Sequence, residues 1–287
     1  MYTTLIDAKA LARALAGPER DGILVLDCGF DLADPGAGRR QYEAGHIPGA
    51  AYVHLDDTLS GAKTGMNGRH PLPDRDAFAA ALAGLGAGDA TQIVAYDNAG
   101  GMYAARLWWL LRWIGHEAAG VLDGGIGAWK AAGQALSTEP PALRAPGDLK
   151  ARDGGQRTLT YAALRDALAA GDRVVLDARA PDRYRGENET MDKVGGHIPG
   201  ARNRYFRDNL DSDGRFLPPA ALRQAFAARL DGRAPAAVIN QCGSGVTACH
   251  NLLAMEIAGL AGAALYPGSW SEWSAQPGAP VATGPDA

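Results

Sequence analysis

The 287-residue chain has few of the features that would assign it to a specialised class of protein. It contains only three cysteines, Cys28, Cys242 and Cys249, and no CxxC or HExxH pattern, so neither a disulfide scaffold nor a metal site is expected. No apolar run approaches the roughly 18 residues of a membrane-spanning helix. The formal net charge is −4 and no basic tract is present, which disfavours nucleic acid and membrane as partners. The N-terminal residues do not resemble a secretory signal, and we expect a cytoplasmic protein without a cofactor.

The most informative feature that is present is an internal repeat. The hexapeptide GHIPGA occurs at 45–50 and again at 196–201, 151 residues apart. A short apolar run ending in aspartate, at Asp27 and at Asp177, precedes each copy, and the segments LDGGIGAW and YPGSWSEW match further on. Three matches in one order indicate a duplicated domain. We predict an N-terminal domain at 1–137, a linker at 138–156 that follows the surface, and a C-terminal domain at 157–287.

Both copies show the same alternation of apolar runs and helical patterns. Such alternation is typical of βα units on a buried parallel sheet, hence of the α/β class. The N-terminal residues 1–17 are interpreted as an amphipathic helix with Leu5, Leu11 and Leu15 on one face, and the helix that precedes the first strand is placed at 8–15. The remaining predictions are helices at 76–85, 103–115, 161–170, 219–230 and 246–259, and strands at 24–27, 92–96, 119–122, 174–177, 236–240 and 263–266.

The segment QCGSGVTACH places Cys242 between a predicted strand and a predicted helix. In open α/β sheets, ligands bind beyond the carboxyl ends of strands. Gly243 and Gly245 permit a tight loop whose N–H groups converge, and the helix N-terminus adds positive potential, so the pKa of the Cys242 thiol is expected below its ordinary value. This pattern predicts a nucleophile, against the alternative of a buried structural cysteine. Cys249 and Cys28 are predicted to be packing residues.

The two GHIPGA copies, the loop CGSGVTAC and the ending LYPGSWSEW resemble the two-domain rhodanese family of sulfurtransferases over nearly the whole chain. The resemblance implies two tandem rhodanese-like domains, each a small parallel sheet flanked by helices. It also implies that the first copy is non-catalytic, because Asp97 replaces its cysteine. Within the family, CGSGVT is similar to the loop of 3-mercaptopyruvate sulfurtransferases, whereas thiosulfate enzymes carry basic residues at the positions of Gly243 and Ser244.

The resemblance further implies a persulfide mechanism. The Cys242 thiolate attacks the sulfur of 3-mercaptopyruvate, pyruvate leaves through its enolate, and the persulfide passes its outer sulfur to thioredoxin, a small thiol or cyanide. The backbone amides of the loop would stabilise the sulfur anion; they belong to Gly243, Gly245, Val246 and Thr247.

The resemblance also implies roles for several further residues. Ser244 would join His70, from GRHPLP, and Asp56, after the first GHIPGA, in a Ser–His–Asp relay to which both copies contribute. Asp57 is the alternative to Asp56, and an exposed loop histidine is the alternative for His70. His46 and His197 are interpreted as structural.

The substrate carboxylate requires a cationic partner, for which arginine is suited. The resemblance places Arg183 there, with Arg185 two residues on, against the alternative of a solvated surface arginine. The second arginine of the mercaptopyruvate enzymes is missing from ENETMDKVGGH, in which Lys193 is the nearest cation.

Three other functions are open to test. A thiosulfate:cyanide sulfurtransferase is disfavoured because no basic residues directly follow Cys242. A cysteine phosphatase needs C-x5-R, and Ala248 stands where the arginine would be. A non-catalytic binding or sulfur-relay protein is disfavoured by the intact CGSGVT loop.

Overall fold

The computed structural model describes residues 1–285, which group into two units. Unit 1 comprises Met1–Gly61, Pro73–Gly155 and Ser212–Arg215. Unit 2 comprises Ala62–Leu72, Gln156–Asp211 and 216–285. The segment Ala62–Leu72 therefore belongs to the unit that holds Cys242, although it lies in the first half of the sequence. The boundaries drawn at 137 and 157 describe the sequence repeat and stay a prediction.

Unit 1 contains a five-stranded parallel sheet with the order β1-β5-β4-β2-β3. Its inner strand β2 is buried along its whole length, which explains the uninterrupted apolar run ILVL before Asp27. The strands are β1 (Leu5–Ile6), β2 (Ile23–Asp27), β3 (Ala51–Tyr52), β4 (Gln92–Tyr96) and β5 (Ala119–Leu122).

Five α-helices flank this sheet: α1 (Ala8–Ala16), α2 (Ala37–Ala44), α3 (Arg75–Gly84), α4 (Met102–Trp113) and α5 (Gly125–Ala131). A 3-10 turn, Pro18–Gly22, follows α1. The prediction that one helix carries Leu5, Leu11 and Leu15 is wrong at its start. Leu5 lies in β1 and pairs with Val121, and Asp7 caps α1 by accepting the Ala10 N–H at 2.9 Å. The carbonyl groups of Thr4 and Ile6, on either side of Leu5, accept the N–H groups of Val121 and Asp123 at 2.7 and 3.0 Å, which a longer helix would not allow.

Unit 2 repeats the arrangement with four parallel strands in the order β7-β6-β8-β9. The counterpart of β1 is reduced to a single bridge between Thr158 and Leu265. The strands are β6 (Val174–Asp177), β7 (Arg202–Asn203), β8 (Val238–Gln241) and β9 (Ala264–Leu265). The α-helices are α6 (Tyr161–Ala170), α7 (Pro181–Arg185), α8 (Pro219–Leu230), α9 (Thr247–Ile257) and α10 (Ser269–Trp273), with 3-10 turns at Phe206–Asn209 and Pro235–Ala237.

The two GHIPGA copies make the same contacts in their own units. His46 Nδ1 lies 2.8 Å from the Tyr42 carbonyl oxygen, and the two rings stack with centroids 4.0 Å apart. His197 Nδ1 lies 2.9 Å from the Tyr184 carbonyl oxygen, with ring centroids 3.8 Å apart. A buried histidine that bonds a backbone carbonyl and packs on a ring has a structural role in each copy.

The Pro/Gly-rich segment between the two copies is bound along unit 1. The backbone N–H of Leu149 donates to the Ala87 carbonyl at 3.2 Å, and that of Arg152 donates to the Ile114 carbonyl at 2.7 Å. The Arg144 guanidinium donates to the Ile23 carbonyl at 2.6 Å. The segment is thus an ordered strap. Within residues 1–285, no helix is long and apolar enough to cross a membrane.

Candidate active site

Cys242 lies between β8 and α9 and is almost completely buried, with 2% of its surface exposed. The Gly245 N–H donates to its Sγ at 3.1 Å. Its own N–H donates to Ser269 Oγ at 3.1 Å, and its carbonyl accepts the Trp270 N–H at 2.9 Å. An amide aimed at the sulfur stabilises negative charge there, whether the charge is on a thiolate or on the outer atom of a persulfide.

The loop around Cys242 depends on two residues with positive φ. Gly245 has φ of 80°, and a Cβ at this position would lie 2.4 Å from the Pro267 carbonyl oxygen. Ser269 has φ of 53°, which is uncommon for a residue other than glycine. The Ser269 hydroxyl accepts the Cys242 N–H and donates to the Tyr266 carbonyl at 2.9 Å. The strain at Ser269 is thus offset by bonds that position the cysteine.

The first copy shows what this loop geometry can hold. Asp97 takes the position of Cys242 and is 1% exposed. Its Oδ1 accepts the N–H groups of Ala99 and Gly101, each at 2.8 Å, and its Oδ2 accepts those of Tyr103 and Ala104 at 2.8 and 2.9 Å. Four amides around one carboxylate form an anion-binding nest. The duplicated loop is therefore suited to a buried anion, which in the second copy can be a sulfur anion.

Ser244 and His70 lie together, as the sequence predicted. Both are buried, and Ser244 Oγ is 2.7 Å from His70 Nδ1. The segment that carries His70 is held in unit 2 by the Arg69 N–H, which donates to Ser271 Oγ at 3.0 Å. Gln276 Nε2 also donates to the Met66 carbonyl at 3.2 Å. A fixed Ser–His hydrogen bond beside Cys242 can move a proton at that hydroxyl.

Two guanidinium groups lie over the loop at Gly243. A Cβ on this glycine would be 2.8 Å from Arg69 Nη2 and 3.6 Å from Arg183 Nη1. Glu189 accepts two hydrogen bonds from Arg183 Nη2, at 2.8 and 2.9 Å, and Asp192 forms an ion pair with Arg69. Burial by itself would raise the pKa of Glu189, but its hydrogen bonds, with Arg183 foremost, hold that pKa below its ordinary value.

Arg179 is a further buried cation of this region. Its guanidinium binds the Asp177 carboxylate at 2.6 Å and lies 4.8 Å from the centroid of a Trp270 ring. Burial acts to lower its pKa, but the charge of Asp177, with smaller contributions that include Cys242, raises it above the ordinary value. Arg179 thus stays charged.

Sequence reasoning missed Arg69 and Arg179. The signal for Arg69 was its place next to His70 in GRHPLP, and the signal for Arg179 was its place two residues after Asp177. Neither position reveals by itself that the side chain turns toward the cysteine loop, because that direction is set by packing.

The remaining predicted site residues have other surroundings. Arg185 is partly exposed and binds the Glu187 carboxylate at 2.7 Å, and Lys193 is exposed. Asp56 lies in unit 1, where its N–H donates to His54 Nδ1 at 3.2 Å, and Asp57 Oδ2 is 3.4 Å from that same nitrogen. The roles of these four residues in catalysis stay predictions.

Both copies match the model of the rhodanese-like domain, at residues 7–132 and 160–276. The chain belongs to the rhodanese-like domain family. It is 48% identical over 282 residues to a probable 3-mercaptopyruvate sulfurtransferase of Pseudomonas aeruginosa, and the match covers 98% of each chain. It is 34% identical over 280 residues to a thiosulfate sulfurtransferase of Cricetulus griseus, covering 95% of this chain and 92% of the relative.

A solved structure of 3-mercaptopyruvate sulfurtransferase from Leishmania major has a TM-score of 0.82 and 29% identity. The match covers 95% of this chain and 74% of that one. The rhodanese-like chain is accordingly a two-domain sulfurtransferase, and the fold and enzyme class predicted from its motifs are confirmed. Small molecules that donate and accept sulfur are the partners of such an enzyme.

Proposed function

We propose that this sulfurtransferase takes sulfur from 3-mercaptopyruvate onto Cys242 and passes it to a thiol or to cyanide, releasing pyruvate. The observation that carries the proposal is the 2.7 Å hydrogen bond between Ser244 and His70 beside Cys242. A keto-acid donor needs a proton for the enolate that leaves, and this pair can supply one. Thioredoxin or a small thiol as the acceptor, and a cytoplasmic location, are parts of the same proposal.

In the first half-reaction, the Cys242 thiolate attacks the substrate sulfur and forms an S–S bond. The C–S bond breaks, and its electron pair becomes the enolate of pyruvate, which takes up one proton. The N–H of Gly245, already directed at Sγ, stabilises the negative charge before the attack and on the persulfide after it. In the second half-reaction, the acceptor thiolate attacks the outer sulfur and the Cys242 thiolate is restored.

The Ser244 hydroxyl is the proton donor in this scheme. As Ser244 gives a proton to the enolate, His70 supplies one to the serine oxygen, so that no alkoxide accumulates. The family resemblance assigns Asp56 to the same relay, and that assignment is part of this proposal. The burial of both Ser244 and His70 excludes water that would otherwise compete for the proton.

Arg183 and Arg69 would hold the substrate carboxylate. Both guanidinium groups already lie at Gly243, so a carboxylate that exchanges with Glu189 or Asp192 meets two cations next to the reactive cysteine. Arg69 thus takes the role of the second cation at the substrate carboxylate, for which Lys193 was the nearest candidate in the sequence.

The test is mass spectrometry of the intact protein after incubation with 3-mercaptopyruvate. The expected adduct is one sulfur atom, removable by a thiol and absent from Cys242→Ser. Cys249→Ser is the matched control, because Cys249 is fully buried in α9, where its thiol donates to the Gly245 carbonyl at 3.3 Å. No adduct on the wild-type protein, or an adduct that persists in Cys242→Ser, would contradict the proposal and favour a binding or relay protein.

Thiosulfate is the second candidate donor. The observation in its favour is the pair of guanidinium groups at Gly243, which suits an oxyanion of sulfur as well as a carboxylate. Steady-state kinetics with each donor separates the two. We expect kcat/KM for 3-mercaptopyruvate to exceed that for thiosulfate, because thiosulfate cleavage makes no use of the Ser244–His70 proton, and the reverse order would establish the thiosulfate enzyme.

A further inference from the structure

Unit 1 contains a cavity of about 330 Å³ at the carboxyl ends of β2 and β4, where the second copy has its active-site region. Asp27, Gly29 and Gly45 line one part of it, and Ile126 and Lys130 line another. Neither the persulfide chemistry nor the packing of unit 1 assigns a role to this cavity.

The equivalent space in unit 2 is filled by two side chains. Arg179 stands two residues after Asp177, as Gly29 stands two residues after Asp27. In the matching segments LDGGIGAW and YPGSWSEW, Trp270 takes the position of Ile126. The first copy therefore lacks a guanidinium group and a large ring at the place where the second copy has Arg179 lying 4.8 Å from Trp270.

The groups that bind the guanidinium in unit 2 have counterparts in unit 1. Arg179 Nη2 donates to the Asp177 carboxylate at 2.6 Å and to the Gly196 carbonyl at 2.7 Å. The equivalents are Asp27 and Gly45, the first glycine of the other GHIPGA, and both line the cavity. The local backbone is also the same, since the N–H of the second residue after the strand donates to the aspartate Oδ1 in each copy, at 2.7 Å in unit 1 and 3.0 Å in unit 2.

The other charges at the cavity leave Asp27 as the carboxylate that can receive a cation. Asp97 also lines the cavity, but four backbone N–H groups already bind its carboxylate. Lys130 is exposed, so its ammonium group can extend into water from the rim. Asp27 is 5% exposed; it accepts the Gly29 N–H at 2.7 Å and a hydrogen bond from the Tyr96 side chain, and burial, the largest influence, raises its pKa.

We infer that this cavity binds a small free cation that carries a guanidinium group on a short apolar stem. The guanidinium takes the place of the Arg179 side chain, against the Asp27 carboxylate and the Gly45 carbonyl. The stem packs on Ile126 and fills the volume that Trp270 occupies in the other copy.

The test is calorimetric titration of the full chain with n-propylguanidinium, with n-propylurea as the neutral isostere. We expect saturable binding of the cation and binding of the urea weaker by about tenfold or more, because a charge-assisted hydrogen bond is replaced by a neutral one. Amide NMR shifts of Gly29 and Gly45 locate the ligand. Equal binding of the two compounds, or no binding of the cation, overturns the inference.

Two variants test the cavity: one fills it with a side chain, and the other removes its negative charge. Gly29→Arg supplies a tethered guanidinium, as Arg179 does, and should abolish binding and raise the thermal midpoint. The φ of Gly29 is outside the left-handed region, so the substitution is free of that strain, and Gly29→Ala is the control for the added Cβ. Asp27→Asn should weaken binding by about tenfold or more.

Three results obtained with variants would contradict the inference. Binding that persists in Gly29→Arg places the ligand elsewhere. Unchanged affinity in a folded Asp27→Asn variant removes the ion pair. Binding that appears only in Lys130→Ala identifies Lys130 as the occupant of the cavity. None of these readouts depends on Cys242 or on the identity of the sulfur donor.

Discussion

Asp97 and Cys242 occupy equivalent positions in the two copies. The loop at Asp97 is an anion site that its own carboxylate fills, whereas the loop at Cys242 can hold a sulfur anion. In unit 1 the carboxylate itself takes four backbone N–H groups of the nest, so the loop has no capacity left for a further anion. In unit 2 the cysteine is short, and the Gly245 N–H is directed at its sulfur. One substitution within a duplicated loop thus leaves a filled anion nest in unit 1 and a backbone N–H directed at a sulfur in unit 2.

His70→Ala is expected to lower kcat for pyruvate release from 3-mercaptopyruvate by about a hundredfold, because general acid–base catalysis typically contributes 10² or more. Ser244→Ala should give a similar loss, and the double variant little more than either single one, since the two residues act as a pair. Pyruvate formation measured under single-turnover conditions checks the effect. An additive double variant would show that the 2.7 Å contact is not a proton path.

Arg69→Gln and Arg183→Gln are each expected to raise KM for 3-mercaptopyruvate by about tenfold, the effect of one lost charge-assisted hydrogen bond. Lys193→Gln is the matched control and should leave KM unchanged, because Lys193 is exposed. Initial rates of pyruvate release over a range of substrate concentrations provide the comparison. If Lys193→Gln raises KM while Arg69→Gln does not, the lysine is the second cation of the site.

At the scale of secondary-structure elements, the active site depends on how one loop and one short segment are held. The loop between β8 and α9 approaches the Pro267 carbonyl so closely at Gly245 that a methyl group has no room. The segment Ala62–Leu72 is fixed on unit 2 by the bond from Arg69 to Ser271, near the start of α10. The position of His70 is therefore a property of this docking rather than of any helix or strand that carries it.

Gly245→Ala should destabilise the protein by about 1–3 kcal/mol and abolish most sulfur uptake, because both the positive φ and the contact with Pro267 oppose a side chain. Gly278→Ala separates these causes. Gly278 has φ of 71° but open space where a Cβ would lie, so only the cost of the backbone conformation, about 1 kcal/mol, is expected. Urea unfolding of both variants measures the difference, and equal losses would show that the Pro267 contact is unimportant.

The predicted helices and strands show how much of the secondary structure can be predicted from local sequence patterns. The helices at Tyr161–Ala170 and Pro219–Leu230 and the strand at Val174–Asp177 have the predicted bounds, because each has strong periodicity or a buried apolar run. The helices α2 and α5 were not predicted, and neither were the strands β1, β3 and β7 or the five-residue helices α7 and α10. Elements of two to five residues are too short for a periodic signal and exist because a neighbouring strand or helix offers them hydrogen bonds.

At the scale of the whole molecule, the buried carboxyl groups make stability depend on pH with both signs. The pKa values of Asp27 and Glu272 are raised, mainly by burial, so the folded state binds their protons more tightly than the unfolded state does. Their contribution to stability therefore falls as pH rises from the ordinary carboxyl pKa through the raised pKa of the folded state. The pKa of Glu189 is lowered, so its contribution is present above the ordinary pKa and is lost as pH falls through the folded-state value.

Glu189→Gln should lower the free energy of unfolding at pH 7 by about 1–3 kcal/mol, since Arg183 then loses its nearer carboxylate and keeps Asp192, at 3.6 Å. The difference from wild type should shrink as pH falls through the lowered pKa of Glu189 in the folded protein, where the parent carboxylate becomes protonated. Glu187→Gln is the control, because this exposed partner of Arg185 should not change stability measurably. Urea unfolding at several pH values tests this, and a difference independent of pH would assign the loss to packing.

The sequence by itself determined the duplication, the parallel α/β architecture of each copy and the sulfurtransferase family, and it predicted Cys242 rather than Cys249 as the nucleophile. Repeats, apolar runs and a glycine-flanked cysteine are local signals and can be read without coordinates. Only the tertiary structure decided that Ser244 meets His70, that Arg69 and Arg183 converge on Gly243, and that unit 1 has a cavity where unit 2 has Arg179. These facts depend on side-chain direction and on contacts between residues up to 174 positions apart, which chain order alone does not specify.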